Sequence, residues 1–407
     1  MTSAGAERAR VIPAGDARPR SGCPVCGNAS VLDVVEIPRV PVHCNVLWPT
    51  RAEALAAPVA DIRLGFCRGC GHTFNRAFDP ALMAYSPRYE NSLHFSPRFQ
   101  EYAQSLAAHL IERYDLHGKD IIEIGCGKGE FLTLLCELGE NRGVGFDPSY
   151  VPGEAGTASA AGFEVIQDFY SERYAAHRAD LICCRHVLEH VADPQGFLRM
   201  VRRAIGGRNT VVFFEVPNGR WTLRDLAVWD IIYEHCSYFS AHSLAELFGA
   251  AGLGVRDLRE AFGGQYLCLE AVSGDAVTTE RPPTRELEAL AREAEDFADE
   301  YQRKVAQWDE LLEEMTEAGR RVVVWGAGSK GVSFLNALGI REQSEYIVDL
   351  NPRKHGMHVA GTGQRIVPPE FLRTCRPDAI VVMNAIYEDE IRARIENLGI
   401  SCELLCA

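Results

Sequence analysis

No stretch of this sequence stays apolar for the roughly 20 residues that a bilayer-spanning helix needs. Its first residues, MTSAGAERARVIPAGDARPRSG, also lack the apolar core of a secretory signal, so residues 1–20 read as a disordered start on a cytoplasmic protein. Positive charge is in deficit: 42 Lys and Arg stand against 56 Asp and Glu, a formal net charge of −14. Basic patches interleaved with aromatics are missing too. Together these exclude a chain built mainly to grip nucleic acid or an anionic membrane, and any anionic ligand must be held by local groups. With 407 residues, one core is too few, and two or three domains are expected.

Cysteine, by contrast, is plentiful. Fourteen cysteines without a signal peptide point to thiols and metal ligands in preference to disulfides. Most fall singly, as small core residues do, but residues 21–80 hold two paired knuckles, CPVCG and CRGCG. Cys23, Cys26, Cys67 and Cys70 would close a tetrahedral zinc site, each knuckle ending in a glycine that lets backbone amides turn toward sulfur. Four thiolates leave no open coordination position, so the expected role is structural. His43 and Cys44 are weaker competing ligands.

A polar, aromatic loop with Tyr85, Tyr89 and Asn91 follows. A helix is then predicted from Ser96, with Pro97 in its first turn and Phe99, Tyr102, Leu106 and Leu110 along one face. Residues 119–272 alternate strand and helix: DIIEIG, RGVGFD, FEVIQ, DLICCR and NTVVFFEV are strands, with two late strands at GVRDLRE and QYLCLEAV. This is an α/β, doubly wound sheet, whose ligands bind beyond the carboxyl ends of the strands. The expected domain spans 81–275. Residues 276–318 form a linker, within SGDAVTTERPP, and a long amphipathic helix. Along that helix Leu287, Ala291, Ala294, Ala298, Tyr301, Val305, Trp308, Leu312 and Met315 make a stripe read as a connector lying on the next domain, in preference to a dimeric coiled coil. Residues 319–407 read as a smaller Rossmann-like α/β unit from VVVW, YIVDLN, PDAIVVMN and SCELLC.

The chemistry gathers at the strand ends. In IIEIGCGKGEF, Glu123, Gly125, Gly127 and Gly129 make an E-x-G-x-G-x-G turn without the third glycine of a dinucleotide site. Asp147 ends the second strand, where it can accept ribose hydroxyl protons, and Asp168, after the third, is placed to accept from an adenine amino group. These pieces resemble the class I S-adenosylmethionine methyltransferases. Strand four ends in CCRHVLEHVADP, with His186 and His190 four apart on a short helix and Glu189 beside them. After strand five comes a long insertion holding YEHCSYF, the position of functional loops in such sheets.

Across nearly its full length the chain is similar to the sugar C-methyltransferases of deoxysugar biosynthesis. CPVC with CRGC, RYENSLHFS, EIGCGKGEF, CRHVLEHV, EVPN, YEHCSYFS and VVVWGAGSKG carry the resemblance. It implies methyl transfer from S-adenosylmethionine to carbon of a nucleoside-diphosphate keto-deoxysugar, at C-3 through an enolate, in natural-product sugar biosynthesis. Carbon becomes nucleophilic only after a proton beside the carbonyl is removed, which calls for a base and for donors to the enolate oxygen. His235 is the expected base, oriented and made more basic by Glu234, with Tyr89 and His186 as donors. Tyr233, His190, Asn218, Tyr238 and Lys330 are expected to contact substrate. In the family a histidine commonly stands between the tyrosine and the Glu-His pair; here Tyr233 abuts Glu234 directly. GAGSKG at 326–331 satisfies G-x-G-x-x-G, with Asp349 ending the next strand, and taken alone would suggest a nicotinamide nucleotide; its helix amino end and Lys330 suit any pyrophosphate, and the resemblance implies that of a sugar nucleotide, ahead of a purely structural turn and of a redox cofactor. Methylation of nitrogen or oxygen on an aminosugar, or a non-catalytic scaffold, are the alternative readings. The expected partner is a small molecule, with no nucleic acid or membrane, and a monomer or weak homodimer.

Overall fold

The computed structural model describes residues 10–11, 22–151, 163–273, 284–340 and 344–407. The expected disordered start, apart from Arg10–Val11, and nearly all of SGDAVTTERPP lie outside the described residues. Among those described, no helix is long and apolar enough to cross a membrane.

Besides a short antiparallel pair of Arg10–Val11 with Ala84–Tyr85, the described residues form three sheets that follow one another along the chain. The N-terminal one is antiparallel: β1 (Val31–Pro41), β2 (Val59–Cys67) and β3 (Thr73–Asn75). The central sheet holds β4 (Asp120–Ile124), β5 (Arg142–Phe146), β6 (Phe163–Ile166), β7 (Leu181–Arg185), β8 (Val211–Pro217), β10 (Leu253–Ala261) and β11 (Tyr266–Ser273). Its order is β10-β11-β8-β7-β4-β5-β6, parallel from β8 to β6, with β11 antiparallel to both of its neighbours. Between β8 and β10 the chain leaves this sheet, and its two-residue strand β9 (Ser237–Tyr238) pairs with β3, so the N-terminal sheet has the order β9-β3-β2-β1. The loop that carries His235 is therefore hydrogen-bonded into the N-terminal sheet. The C-terminal sheet, β12 (Val322–Trp325), β13 (Tyr346–Val348), β14 (Arg365–Val367), β15 (Ala379–Val382) and β16 (Glu403–Cys406), is parallel in the order β14-β13-β12-β15-β16.

Helix α1 (Pro97–Tyr114) begins as its sequence dictates. Ser96 accepts from the Phe99 amide, Pro97 occupies the first turn, and Phe99, Leu106 and Leu110 are buried. The long helix α2 (Thr284–Glu317) does more than connect. Ala291, Ala294, Tyr301, Trp308 and Met315 are buried as the stripe predicts, together with Leu290 and Phe297, while Leu287, Ala298, Val305 and Leu312 are half-buried. Leu290 packs beside Gly71 of the second cysteine knuckle, Arg68 pairs with Glu295 at 2.6 Å, and Arg220 pairs with Glu293 at 2.8 Å. At its far end Trp308 meets Phe334 of α3 (Ser329–Ala337), which also packs edge-on against Trp229. One apolar core thus joins the N-terminal sheet, the His235 insertion, α2 and the C-terminal sheet.

Candidate functional site

Two cavities open at the carboxyl ends of the parallel strands. The larger, ≈ 820 Å³, lies over β4 and β5 and is lined by Glu123, Gly125, Gly127, Asp147, Asp168 and Phe131, among others. The smaller, ≈ 300 Å³, lies between the central and C-terminal sheets, with His235, Tyr238 and Gln265 on one side and Lys330, Asp349 and Asn384 on the other. Tyr89, Asn91, Ser92, Leu93, His186 and His190 line both, so the cavities share a wall.

The glycine turn behaves as its spacing predicts. Gly125, Gly127 and Gly129 take φ values of 72°, 56° and 86°, the left-handed region that favours glycine. A Cβ on Gly125 would strike Val187, whereas one on Gly127 would meet nothing, which leaves space there for a ligand. Gly129, at the head of the following helix, is absent from the cavity wall, and a Cβ on it would strike the Phe163 ring, so packing also calls for glycine there. Asp147 accepts from the Gly127 amide at 2.9 Å and from Ser149, bracing the turn against β5. Asp168 engages Arg173 and the Tyr174 hydroxyl, the latter at 2.7 Å. Glu123 is buried with Oε2 unpartnered, and burial lifts its carboxyl to about 8. An orphaned acid beside a side-chain-free turn suits a cofactor that carries positive charge and a ribose.

His186 and His190 both reach the shared wall, but by a different route from the one expected. His186 lies outside any helix, with φ at 53°, and only Leu188–His190 form a single 3-10 turn. Left-handed backbone is costly for a residue with a Cβ. It is held because the His186 amide donates to the Glu215 carbonyl at 2.9 Å while Nε2 lies 2.7 Å from Oε1 of the same residue. Burial works against a charged imidazole there, but the facing carboxylates of Glu189 and Glu215 outweigh it and lift His186 to about 9. Glu215 would itself be raised by burial; Arg185 at 2.9 Å, His186 and the Tyr102 hydroxyl hold it well below the usual carboxylate range.

His235 faces the smaller cavity, 4.9 Å from the His190 ring between centroids. Its assigned partner does not. Glu234 turns the other way, accepting from the Cys44 amide at 2.8 Å with Oε1 3.6 Å from His43 Nδ1 and its carboxylate beside Tyr89, while its main-chain carbonyl lies 2.9 Å from His190 Nδ1. Consecutive side chains diverge here, one toward the N-terminal sheet and one toward the cavity. Glu234 therefore does not make His235 more basic. Burial, then the neighbouring His190, His186 and Lys330, push the His235 imidazole well below its ordinary value, so it is neutral near pH 7.

Two further expected substrate contacts belong to the scaffold. Tyr233 is fully buried against Phe78, its hydroxyl accepting from the Asp79 amide at 2.8 Å. Asn218 caps the Gly219–Arg224 helix by accepting from Trp221 and donates to the Gly264 carbonyl at 2.9 Å. Neither lines a cavity. Tyr238 does, with its hydroxyl bridging the Ile232 main chain at 3.1 Å, and Tyr89 lines both cavities. Lys330 pairs with Asp230 and lies 5.2 Å from the Trp221 ring. Sequence reasoning missed Arg185, Glu215, Gln265 and Asn384; the last two exchange amide hydrogen bonds of 3.0 and 2.8 Å between the sheets. The strand-end positions of Arg185 and Asn384 were the available signal.

Away from the cavities, the four expected cysteines converge. Cys23 and Cys70 Sγ lie 3.6 Å apart, Cys26 and Cys67 3.5 Å, and all four fall within 4.8 Å of one another. That is too far for disulfides and close to the roughly 3.8 Å edge of a tetrahedral four-thiolate ion. Val25 and Gly69 amides point at Cys23 and Cys67 sulfur, each at 3.4 Å. His43 and Cys44 are engaged elsewhere, at Glu234.

The strand order, the glycine turn and the acid closing β5 define a class I methyltransferase fold. Residues 99–258 match the model of the methyltransferase domain, and residues 281–400 match that of the C-methyltransferase C-terminal domain. Over 393 residues the chain is 29% identical to the C-methyltransferase NovU of Streptomyces niveus, covering 92% of each chain. A 110-residue stretch is 31% identical to the ubiquinone biosynthesis O-methyltransferase of Citrobacter koseri, covering 25% of this chain and 44% of that one. Among solved structures, the 1,6-didemethyltoxoflavin-N1-methyltransferase of Burkholderia thailandensis aligns at 18% identity with a TM-score of 0.35, over 44% of this chain and 80% of that one. The chain is an S-adenosylmethionine-dependent methyltransferase that carries the C-terminal domain of C-methyltransferases.

Proposed function

We propose that the chain methylates a carbon next to the ketone of a nucleoside-diphosphate-linked deoxysugar, at C-3, in natural-product sugar biosynthesis. The shared wall carries this reading: a cofactor-sized cavity and a separate cavity meet at imidazoles, which is the arrangement that enolisation followed by methyl transfer requires. When bound in the larger cavity, held by Glu123, Gly125, Gly127, Asp147 and Asp168, S-adenosylmethionine supplies an electrophilic methyl group. The remaining work falls to the chain's own residues. His235, kept neutral, removes the proton beside the carbonyl. His186, kept charged, and Tyr89 donate to the oxygen on which negative charge grows. Lys330 and the amino end of α3 suit the diphosphate, and the C-terminal sheet closes the sugar-nucleotide end of the cavity. The cysteine cluster suits a structural zinc ion. Similarity to NovU over 92% of the chain supports the choice of carbon as acceptor.

The test is a panel of keto-sugar nucleotides incubated with the protein and cofactor, then again in deuterated water without cofactor. A gain of one methyl, with solvent deuterium washed into the position beside the ketone, is the expected result. Methyl gain without deuterium wash-in would move the acceptor to nitrogen or oxygen.

A further inference from the structure

One carboxylate lining the smaller cavity beside the shared wall is so far without a task. Glu189 is 1% exposed, and neither of its oxygens has a hydrogen-bond partner. An ionised carboxylate buried in this way is stable only if positive charge stands close by. Three imidazoles surround it: His186 Nδ1 at 3.7 Å, His190 Nε2 at 4.0 Å, and a His235 nitrogen within 4.8 Å. His190 Nδ1 lies 2.9 Å from the Glu234 carbonyl, which fixes the ring with Nε2 toward Glu189. The main chain also ties Glu189 to the His235 loop, because its carbonyl accepts from the Cys236 amide at 2.9 Å and from Cys236 Sγ at 3.3 Å.

The other charged or titratable groups around this cluster come from every neighbouring element. Glu215 of β8, backed by Arg185 of β7, faces His186; Lys330 of α3, paired with Asp230, stands toward His235; Tyr85 and Tyr89 of the N-terminal loop close the remaining side. Glu215 is already matched by Arg185 and His186, and Glu234 by His43. Glu189 is the carboxylate left to answer a new positive charge on His235.

We propose that Glu189 is a positioning residue for the proton-transfer step, the counter-charge of the imidazolium formed at His235. This rests on the reading of His235 as base. In that step the carbon–hydrogen bond breaks, its electron pair passes into the enolate, the proton forms an N–H bond on His235, and Glu189 stays ionised throughout.

The experiment uses the full-length chain as Glu189→Gln and Glu189→Asp, with His235→Asn alongside. Histidine ring-proton NMR titration of the protein without substrate should show the His186 and His235 midpoints lowered in Glu189→Gln by about one pH unit, a roughly tenfold loss of proton affinity, and partly restored in Glu189→Asp. Deuterium exchange into the keto-sugar should slow by about 10²-fold in Glu189→Gln while cofactor affinity, which reports the fold, is unchanged. Unmoved midpoints, or exchange at the wild-type rate, overturn the proposal. So does metal analysis finding a second ion per chain that Glu189→Gln loses and the cysteine cluster keeps, since the carboxylate would then be a metal ligand. Should His235→Asn exchange normally, the base assignment fails and this proposal with it, whereas unmoved midpoints in Glu189→Gln with exchange still lost in His235→Asn overturn the Glu189 role alone.

Discussion

His186 shows how one side chain can fix the working pH. Its imidazole is raised to about 9, so the stability it contributes is fully present below its unfolded value near 6.5 and is lost as pH rises through about 9. On the proposed mechanism the same proton is the donor to the enolate. Turnover should therefore fall by about tenfold per pH unit above 9, and the urea midpoint should decline over the same window. In His186→Gln both pH dependences should disappear, with a uniformly lower rate; a pH–rate profile of the two proteins decides it. His235 is the complementary case, since an imidazole held below its ordinary value needs no deprotonation at pH 7. His235→Asn should cost about 10³-fold in turnover and leave cofactor binding, by calorimetry, unchanged. The histidines themselves were legible because each follows a strand of the doubly wound sheet. Their partners were not. Glu234 adjoins His235 in sequence yet binds Cys44, 190 residues away, and only packing against the N-terminal sheet dictates that direction.

Among the elements, β9 has the most effect for its length. Two residues, Ser237 and Tyr238, pair with Phe74 and Thr73, and the Asn75 amide donates to the Cys236 carbonyl at 3.0 Å. Since β3 starts three residues after Cys70, an ion in the thiolate cluster would brace the loop that aims His235. Stripping that ion by chelation, or making Cys67→Ser, should speed amide hydrogen exchange at Ser237 and Tyr238. Turnover should drop by on the order of 10²-fold, because a small misplacement of a base is that expensive. Unchanged exchange at these two amides would separate the cluster from the site. The strands of the central sheet and α1 could be read directly, as apolar runs ending at glycine or aspartate and as a Ser-Pro start, whereas β1 and β2 of the cysteine module, 11 and 9 residues long, were not read. Strands β9 and β14 could not: two or three residues carry no periodicity, and their pairing depends on partners distant in sequence. The stripe on α2 predicted a buried face but not what would cover it. Leu287 and Leu290 lie against Gly71 of the second cysteine knuckle, a contact that a purely C-terminal connector would not need.

At the scale of the whole molecule, the two parallel sheets turn their carboxyl ends toward each other, and the smaller cavity exists only because both are present. Gln265 and Asn384 link them by reciprocal amide bonds, Ser96 donates to Glu390 at 2.6 Å, and Glu90 accepts from Asn351 at 2.9 Å. Such a cavity divides labour: the central sheet presents imidazoles, and the C-terminal sheet presents a helix amino end and Lys330, far more suited to holding a diphosphate than to chemistry. The Asp230 carboxylate that keeps Lys330 in place would be exchanged for phosphate oxygens when the acceptor binds. Removing the ammonium should thus weaken ground-state and transition-state binding alike. Lys330→Ala is expected to raise KM for a nucleotide-linked keto-sugar by about 10- to 100-fold with kcat nearly unchanged, the signature of lost uniform binding. The same sugar without its diphosphate should react slowly and indifferently with either protein. Equal KM values for the linked acceptor in wild type and variant would place the diphosphate elsewhere, and the C-terminal sheet would then serve to shape the cavity and exclude water from it.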